Sequence, residues 1–145
     1  MKTRLMVTGA VLVTLIAGAV LGCSSKSQAA TKTIEVAMDD VLNQSAITRD
    51  VTLSVGDTLK VSLGSNHSTP FRWTDDPKIG DSTILKQASH EYVPAKTDLI
   101  GAPGTEVWTF TALKTGTTTV VADYASVVGS DPAPTCTFTA NVTVK

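Results

Sequence analysis

Residues with reactive side chains are scarce in this chain. It has two cysteines and two histidines among 145 residues. A hydrolase needs a nucleophile, a base and a group that orients the base, and no Gly-x-Ser-x-Gly turn, phosphate-binding glycine loop or His-Glu-x-x-His motif occurs. A blue-copper site needs histidine and usually methionine close to its cysteine, yet neither follows Cys136. We therefore expect no enzyme, no metal site and no cofactor.

Clusters of charge are missing as well. The formal net charge is -1, and the 12 basic residues are scattered along the chain. Nucleic acid binding requires a clustered basic face, so no nucleic-acid partner is expected. His67, in a loop, and His90, just before Tyr92, are predicted to be solvated histidines rather than ligands. Asp75 and Asp76 are predicted to form a solvated turn.

The N-terminus has the layout of an export signal. Lys2 and Arg4 precede an uncharged, largely apolar run over residues 5–21. This run ends at Val20-Leu21-Gly22-Cys23 and leads into a polar segment, whereas a membrane-spanning helix usually leads into a charged flank. The four residues resemble the lipobox of bacterial lipoproteins, whose cysteine becomes the lipidated N-terminus after cleavage. The alternatives are an uncleaved membrane anchor and ordinary signal cleavage near residues 29–30.

This interpretation divides the chain into three parts. Residues 1–22 are predicted to be a lipoprotein signal peptide, 23–32 the lipidated Cys23 with a flexible tether, and 33–145 one domain. The protein would be exported and anchored by lipid to a cell membrane, facing the outside or the periplasm. Because lipidation occupies Cys23, Cys136 would have no partner for an internal disulfide.

Alternation of apolar and polar residues, typical of half-buried strands, runs through the chain from residue 33 onward. No segment shows helical spacing over three turns. The pattern predicts an all-β, immunoglobulin-like β-sandwich of about seven to eight strands. Gly56-Asp57 suits a tight hairpin turn, and Cys136 is predicted to be a small buried apolar residue. The residues predicted to face inward are Ile34, Val36, Met38, Val51, Leu53, Val55, Leu59, Val61, Leu63, Trp108, Phe110, Ala112, Val120, Ala122, Tyr124, Cys136, Phe138, Ala140, Val142 and Val144.

Three segments do not follow this alternation: 64–70, 98–104 and 126–135. Each adjoins a predicted strand and is rich in residues that stiffen or turn a loop. Rigid loops on a β-scaffold are where binding residues concentrate. We therefore expect the binding function of the domain to lie in these segments.

The first of these segments resembles the first binding loop of the chagasin family, which reads Asn-Pro-Thr-Thr-Gly-aromatic with a tryptophan two residues later. Here the segment contains the asparagine and a hydroxyl pair, and the aromatic residue and the tryptophan follow directly after it. Histidine replaces the proline of the family motif, and proline replaces its glycine. The residues in question are Asn66, His67, Ser68, Thr69, Pro70, Phe71 and Trp73.

The other two segments resemble the family's second and third loops. The second loop of the family reads Gly-x-Gly-Gly, and here Gly101-Ala102-Pro103-Gly104 occupies its place. The third reads Arg-Pro-Trp or Arg-Pro-Phe, shortly after a strand that ends in tyrosine. Tyr124 is present, but Ser126-Val127-Val128 stands where that motif would be, which leaves affinity and target range open.

The resemblance covers nearly the whole mature chain and implies a function. Chagasin-like proteins are immunoglobulin-like inhibitors of papain-like cysteine peptidases, and they present three adjacent loops to the active-site cleft. The resemblance implies a reversible inhibitor, acting as a monomer, in which Ser68 and Thr69 approach the catalytic thiolate. Phe71 is expected between core and loop, with Trp73 and Trp108 in the core. The alternative is a non-inhibitory binding or structural module of the cell envelope.

Overall fold

The computed structural model describes residues 28–130 and 133–145, which form a β-sandwich with one short helix. The predicted signal peptide and Cys23 lie outside these residues. The helix α1 spans Met38–Asn43. The strands are β1 Thr31–Val36, β2 Ala46–Leu53, β3 Thr58–Ser65, β4 Phe71–Trp73, β5 Lys78–Ile79, β6 Leu85–Val93, β7 Gly104–Ala112, β8 Gly116–Ser126 and β9 Cys136–Val144.

The strands form two sheets. One has the order β1-β3-β7-β6; the other has the order β2-β9-β8-β4, with β5 also paired to β8. β1 pairs with β3, and β2 with β9, in parallel, and the remaining pairs are antiparallel. The predicted all-β, immunoglobulin-like sandwich is confirmed. The described residues contain nine strands rather than seven to eight because β4 and β5, of three and two residues, are too short to show alternation.

The core forms where the alternating side chains of the two sheets meet. All predicted inward residues of β7, β8 and β9 are buried, from Trp108 to Val144. Cys136 is a fully buried free thiol within the described part of the chain, as predicted, and burial raises the pKa of this thiol. Since the thiolate is the reactive form of cysteine, Cys136 is a packing residue.

Three details of the strand prediction are wrong. Gly56-Asp57 does not close a hairpin, because β2 pairs with β9 in one sheet while β3 pairs with β7 in the other. Gly56 has a φ of +91°, so the turn does need glycine, but it leads from sheet to sheet. Met38 begins α1 instead of extending β1, and Val55 is exposed.

Within residues 28–130 and 133–145, no helix has the length and apolar character needed to cross a membrane.

The three irregular segments come together at one end of the sandwich. There β3 ends at Ser65 opposite the start of β7, and β8 ends at Ser126 opposite the start of β4. We call the connections at this end loop 1 (66–70), loop 2 (94–103) and loop 3 (described over 127–130 and 133–135), and this end the loop end. The turns at 54–57, 80–84 and 113–115 build the opposite end.

Candidate functional site

Loop 1 lies between loop 2 and loop 3 and is hydrogen-bonded to both. The side-chain amide of Asn66 donates to the carbonyl of Gly101 in loop 2 at 3.1 Å. On the other side, the N–H of Val127 in loop 3 donates to the carbonyl of Pro70 at 2.8 Å. The fold therefore joins the three segments that the sequence singled out into one continuous surface.

Polar contacts inside loop 1 fold it into a turn. Oδ1 of Asn66 accepts hydrogen bonds from the backbone N–H of Ser68 at 3.0 Å and from its hydroxyl at 2.6 Å. The backbone carbonyl of Asn66 accepts from the N–H of Thr69 at 3.1 Å and from its hydroxyl at 2.7 Å. Asparagine and serine favour such local turns because their short side chains bond to nearby backbone. Ser68 and Pro70 are exposed at the tip, and Thr69 is half-buried.

Arg72, in β4, holds the backbone of loop 1 from the side of the second sheet. Its Nη1 donates to the carbonyls of Thr69 at 2.6 Å and Phe71 at 2.7 Å, and its Nη2 donates to the carbonyl of His67 at 3.1 Å. A guanidinium presents several donors in one rigid plane, which suits this set of carbonyls. Arg72 was not among the predicted site residues; a basic residue on the strand that follows a binding loop is the available signal.

The prediction that His67 and His90 are solvated is wrong. Both imidazoles contact one carboxylate: Nε2 of His67 lies 2.5 Å from Oε1 of Glu106, and Nε2 of His90 lies 2.7 Å from its Oε2. Glu106 is 5% exposed, and a buried carboxylate is stable only when it is paired. The sequence analysis missed this residue, although Glu106 shares the inward phase of Trp108 and Phe110.

The two tryptophans and Phe71 occupy the positions expected for them. Trp73 and Trp108 are buried, and the indole N–H of Trp73 donates to the carbonyl of Gly64 at 2.8 Å. Phe71 is half-buried and packs against Tyr124 with ring centroids 5.7 Å apart. The start of β4 therefore anchors loop 1 in the core.

Loop 2 exposes residues that the sequence analysis did not select. Leu99 is 74% exposed and Ile100 is fully exposed, whereas Gly104 is buried at the start of β7. A Cβ on Gly104 would collide with the carbonyl of Val93, so this glycine permits close packing rather than contact with a partner. Gly101 has a φ of +81° and is exposed with Pro103, while Ala102 is half-buried.

Loop 3 begins with two exposed valines. Val127 and Val128 are 65% and 62% exposed, while Ser126 is the half-buried last residue of β8. Among the described residues, six of the eight exposed large apolar side chains surround the loop end: Leu42, Val93, Leu99, Ile100, Val127 and Val128. Exposed apolar side chains gathered in one region of a surface are typical of interaction sites. No group of side chains suited to hold a metal ion occurs in the described part of the chain.

Solved structures with the same fold include inhibitors of cysteine proteases. The cysteine protease inhibitor EhICP2 from Entamoeba histolytica is 19% identical with a TM-score of 0.63, covering 81% of this chain and 98% of its own. PbICP-C, solved in complex with falcipain-2, is 21% identical with a TM-score of 0.60, covering 79% and 99%. At this level of identity the likeness shows the fold.

The sequence comparison gives the family. No curated protein matches the chain, but a model of the family described as chagasin family peptidase inhibitor I42 matches residues 52–142. This match covers more than half of the chain and spans all three loops. The family and these structural relatives are inhibitors and not enzymes. The chain belongs to the chagasin family of peptidase inhibitors.

Proposed function

We propose that this protein inhibits papain-like cysteine peptidases reversibly by filling the active-site cleft with loops 1, 2 and 3. The observation that carries the proposal is the loop end itself, where loop 1 is hydrogen-bonded to loop 2 through Asn66 and to loop 3 through Pro70. Three loops joined in this way form a wedge of fixed shape. PbICP-C, which has the same fold, has been solved bound to falcipain-2.

The shape of loop 1 explains how it would occupy a cleft without being cut. Ser68, at its exposed tip, and Thr69 would lie nearest the catalytic thiolate. The N–H of Thr69 donates back to the carbonyl of Asn66, so the backbone turns here, and Arg72 holds the carbonyl of Thr69. A carbonyl engaged in this way is not free to enter an oxyanion hole, which the transition state of hydrolysis requires.

The flanking loops would supply apolar contact area. Leu99 and Ile100 in loop 2, with Val127 and Val128 in loop 3, are already exposed and need no rearrangement to meet a partner. Burying apolar surface stabilises a complex by about 25 cal/mol per Å² before the costs of association. The valines of loop 3 offer less area than the aromatic residue of the family motif, so loop 2 would contribute the larger share.

A non-inhibitory binding module of the cell envelope is the second candidate. The observation that favours it is loop 3, which carries valines where the family has an Arg-Pro-aromatic motif. Titration of this protein against papain and a cathepsin separates the two candidate functions. An inhibitor reversibly lowers the steady-state rate of substrate hydrolysis at micromolar concentration or below. A non-inhibitory module leaves the rate of each peptidase unchanged and instead co-purifies with an envelope partner.

We also propose that Cys23 is lipidated and that the protein acts as an exported, membrane-anchored monomer. The support is the sequence of residues 20–23 and the place where the tether reaches the domain. β1 begins at Thr31 opposite Thr58, and the N–H of Ala30 donates to Asp57 at 2.9 Å, both at the opposite end from the loops. A tether attached there points the loops away from the membrane. Mass spectrometry of the N-terminal peptide, with Cys23→Ser as control, tests the lipid.

A further inference from the structure

Glu106 connects loop 1 to the strand framework beneath it. Its carboxylate lies on the inward face of β7 and is bridged by His67 from loop 1 and by His90 from β6. If one imidazole moves away, a buried carboxylate oxygen is left without a partner, which costs free energy. The arrangement in which both imidazoles contact Glu106 is therefore favoured.

The two histidines make matching contacts from different kinds of structure. His67 stacks on Tyr92 with ring centroids 3.6 Å apart and rings inclined by 8°, and His90 stacks on Trp108 at 4.9 Å and 6°. The backbone of His90 is already held by pairing of β6 with β7. The position of His67 depends on its side chain and on one bond from Arg72 to its carbonyl.

We propose that Glu106 and His67 are positioning residues that fix loop 1 in its inhibitory shape before a peptidase binds. This inference rests on the proposed function. In the family motif a proline precedes the hydroxyl pair and restricts the backbone through its ring. Here His67 occupies that place. Its side chain is held between Glu106 and Tyr92, and this clamp restricts the backbone of loop 1 in place of the proline ring. Ser68, the next residue, is the exposed tip of the loop.

The consequence concerns the rate of association. If only a fraction of molecules hold loop 1 in the binding shape, the apparent affinity falls by that fraction. Loosening the clamp would then lower the association rate constant and leave the dissociation rate constant unchanged. Losing a direct contact with the peptidase would instead raise the dissociation rate constant. Glu106 is buried, so a peptidase at the loop end does not touch it.

The experiment compares His67→Ala, Glu106→Gln and the matched control His90→Ala in the full-length protein, purified in mild detergent. Association and dissociation rate constants with papain are measured together with the Tm. We expect His67→Ala and Glu106→Gln each to lower the association rate constant about tenfold, as for a competent fraction of one in ten. We expect the double variant His67→Ala/Glu106→Gln to show no further loss of the association rate constant, because the two residues act as one unit. His90→Ala is expected to lower the Tm while changing the association rate constant less than about twofold.

Amide hydrogen exchange of the free protein gives a readout without a peptidase. The N–H groups of Ser68 and Thr69 are bonded to Asn66, and they should exchange faster in His67→Ala and Glu106→Gln but not in His90→Ala. Unchanged exchange and rate constants in both variants would overturn the proposal while leaving inhibition by the wild type intact. An effect of His67→Ala on dissociation alone would assign His67 a direct contact and equally overturn it. A wild type without inhibition would refute the proposed function, and exchange would still decide whether the clamp orders loop 1.

Discussion

The two ends of the sandwich use polar side chains for different purposes. At the opposite end, Asp57 accepts hydrogen bonds from the N–H groups of Ser54 at 2.8 Å and Ala30 at 2.9 Å, and Asp81 accepts from the N–H of Thr83 at 2.9 Å. These hydrogen bonds stabilise short turns. At the loop end, the contacts of Asn66 instead shape loop 1 and join it to loop 2, whose side chains Leu99 and Ile100 remain exposed.

The scaffold places residues that stabilise the fold and residues available for binding at different ends. Two large apolar side chains, Val55 and Leu113, are exposed at the opposite end, against six around the loop end, among the residues that the structure describes. Substitutions at the opposite end should therefore alter stability, and substitutions at the tips of the loops should alter inhibition.

The largest effect is expected from charge and bulk at the tip of loop 1. Ser68→Arg places a long cation where the loop would meet the catalytic thiolate, and we expect the inhibition constant to rise at least about 100-fold, as for an interface hot spot. The Tm should hardly change, because Ser68 is exposed. Val55→Arg at the opposite end is the matched control and should inhibit like the wild type. Inhibition by Ser68→Arg at wild-type strength would remove loop 1 from the active site.

A smaller loss is expected at loop 2. Ile100→Asp replaces a fully exposed apolar side chain by a charge, and we expect about a tenfold rise in the inhibition constant, equivalent to about 1.4 kcal/mol. Leu113→Asp makes a similar change at an exposed apolar residue of the opposite end. Equal effects of the two variants on inhibition would contradict the assignment of loop 2 to the interface.

Asp57→Asn, at the opposite end, is expected to lower the stability of the fold and to leave inhibition unchanged. Hydrogen bonds from the backbone of Ser54 and then Ala30 hold the pKa of Asp57 below its ordinary value of 3.8. A carboxylate with a lowered folded-state pKa stabilises the fold above its unfolded pKa, and this contribution is lost as pH falls through the folded pKa. Thermal unfolding should show a gap in Tm between wild type and variant that is largest near neutral pH and narrows below about pH 4. A gap that widens on acidification would contradict this account.

The smallest effect is expected from restoring an aromatic residue to loop 3. Val128→Trp adds apolar area at an exposed position, and we expect affinity to rise about threefold, or about 0.6 kcal/mol. Proline at Val127, the other part of the family motif, should not help, because it removes the N–H that donates to Pro70. Val127→Pro is thus the contrasting variant. Stronger inhibition by Val127→Pro than by Val128→Trp would show that the backbone bond between loops 1 and 3 is dispensable.

Alternation in the sequence predicted the sandwich because burial of alternate side chains dictates it. It could not predict that the Gly56-Asp57 turn joins two sheets, since the partners of β2 and β3 lie far away in the chain. The composition of the three irregular segments located the loops to within a few residues: Gly64 and Ser65 belong to β3, and loop 2 begins directly after Val93 rather than at 98. Exposure within loop 2 was harder to predict: Gly104 is buried because its backbone packs closely against Tyr92 and Val93, whereas Ile100 is exposed.

The polar framework beneath the loops was the least predictable part. Arg72 acts on loop 1 from β4 through local bonds that depend on how the loop turns, and Glu106 reaches His67 from β7 because β7 pairs with β3, the strand that leads into loop 1. A glutamate in the inward phase of Trp108 and Phe110 was the one local sign that a buried polar contact was needed. The sequence did not indicate that both histidines of the chain would meet it.

The central claim is that the loop end occupies the active-site cleft of a papain-like cysteine peptidase. The most direct measurement is a competition experiment with papain, in which the inhibition constant is determined at increasing substrate concentration and binding is repeated after the catalytic cysteine has been blocked by a bulky covalent label. We predict reversible, competitive inhibition and loss of binding to the blocked enzyme. Noncompetitive inhibition, or full binding to the blocked enzyme, would contradict occupation of the cleft.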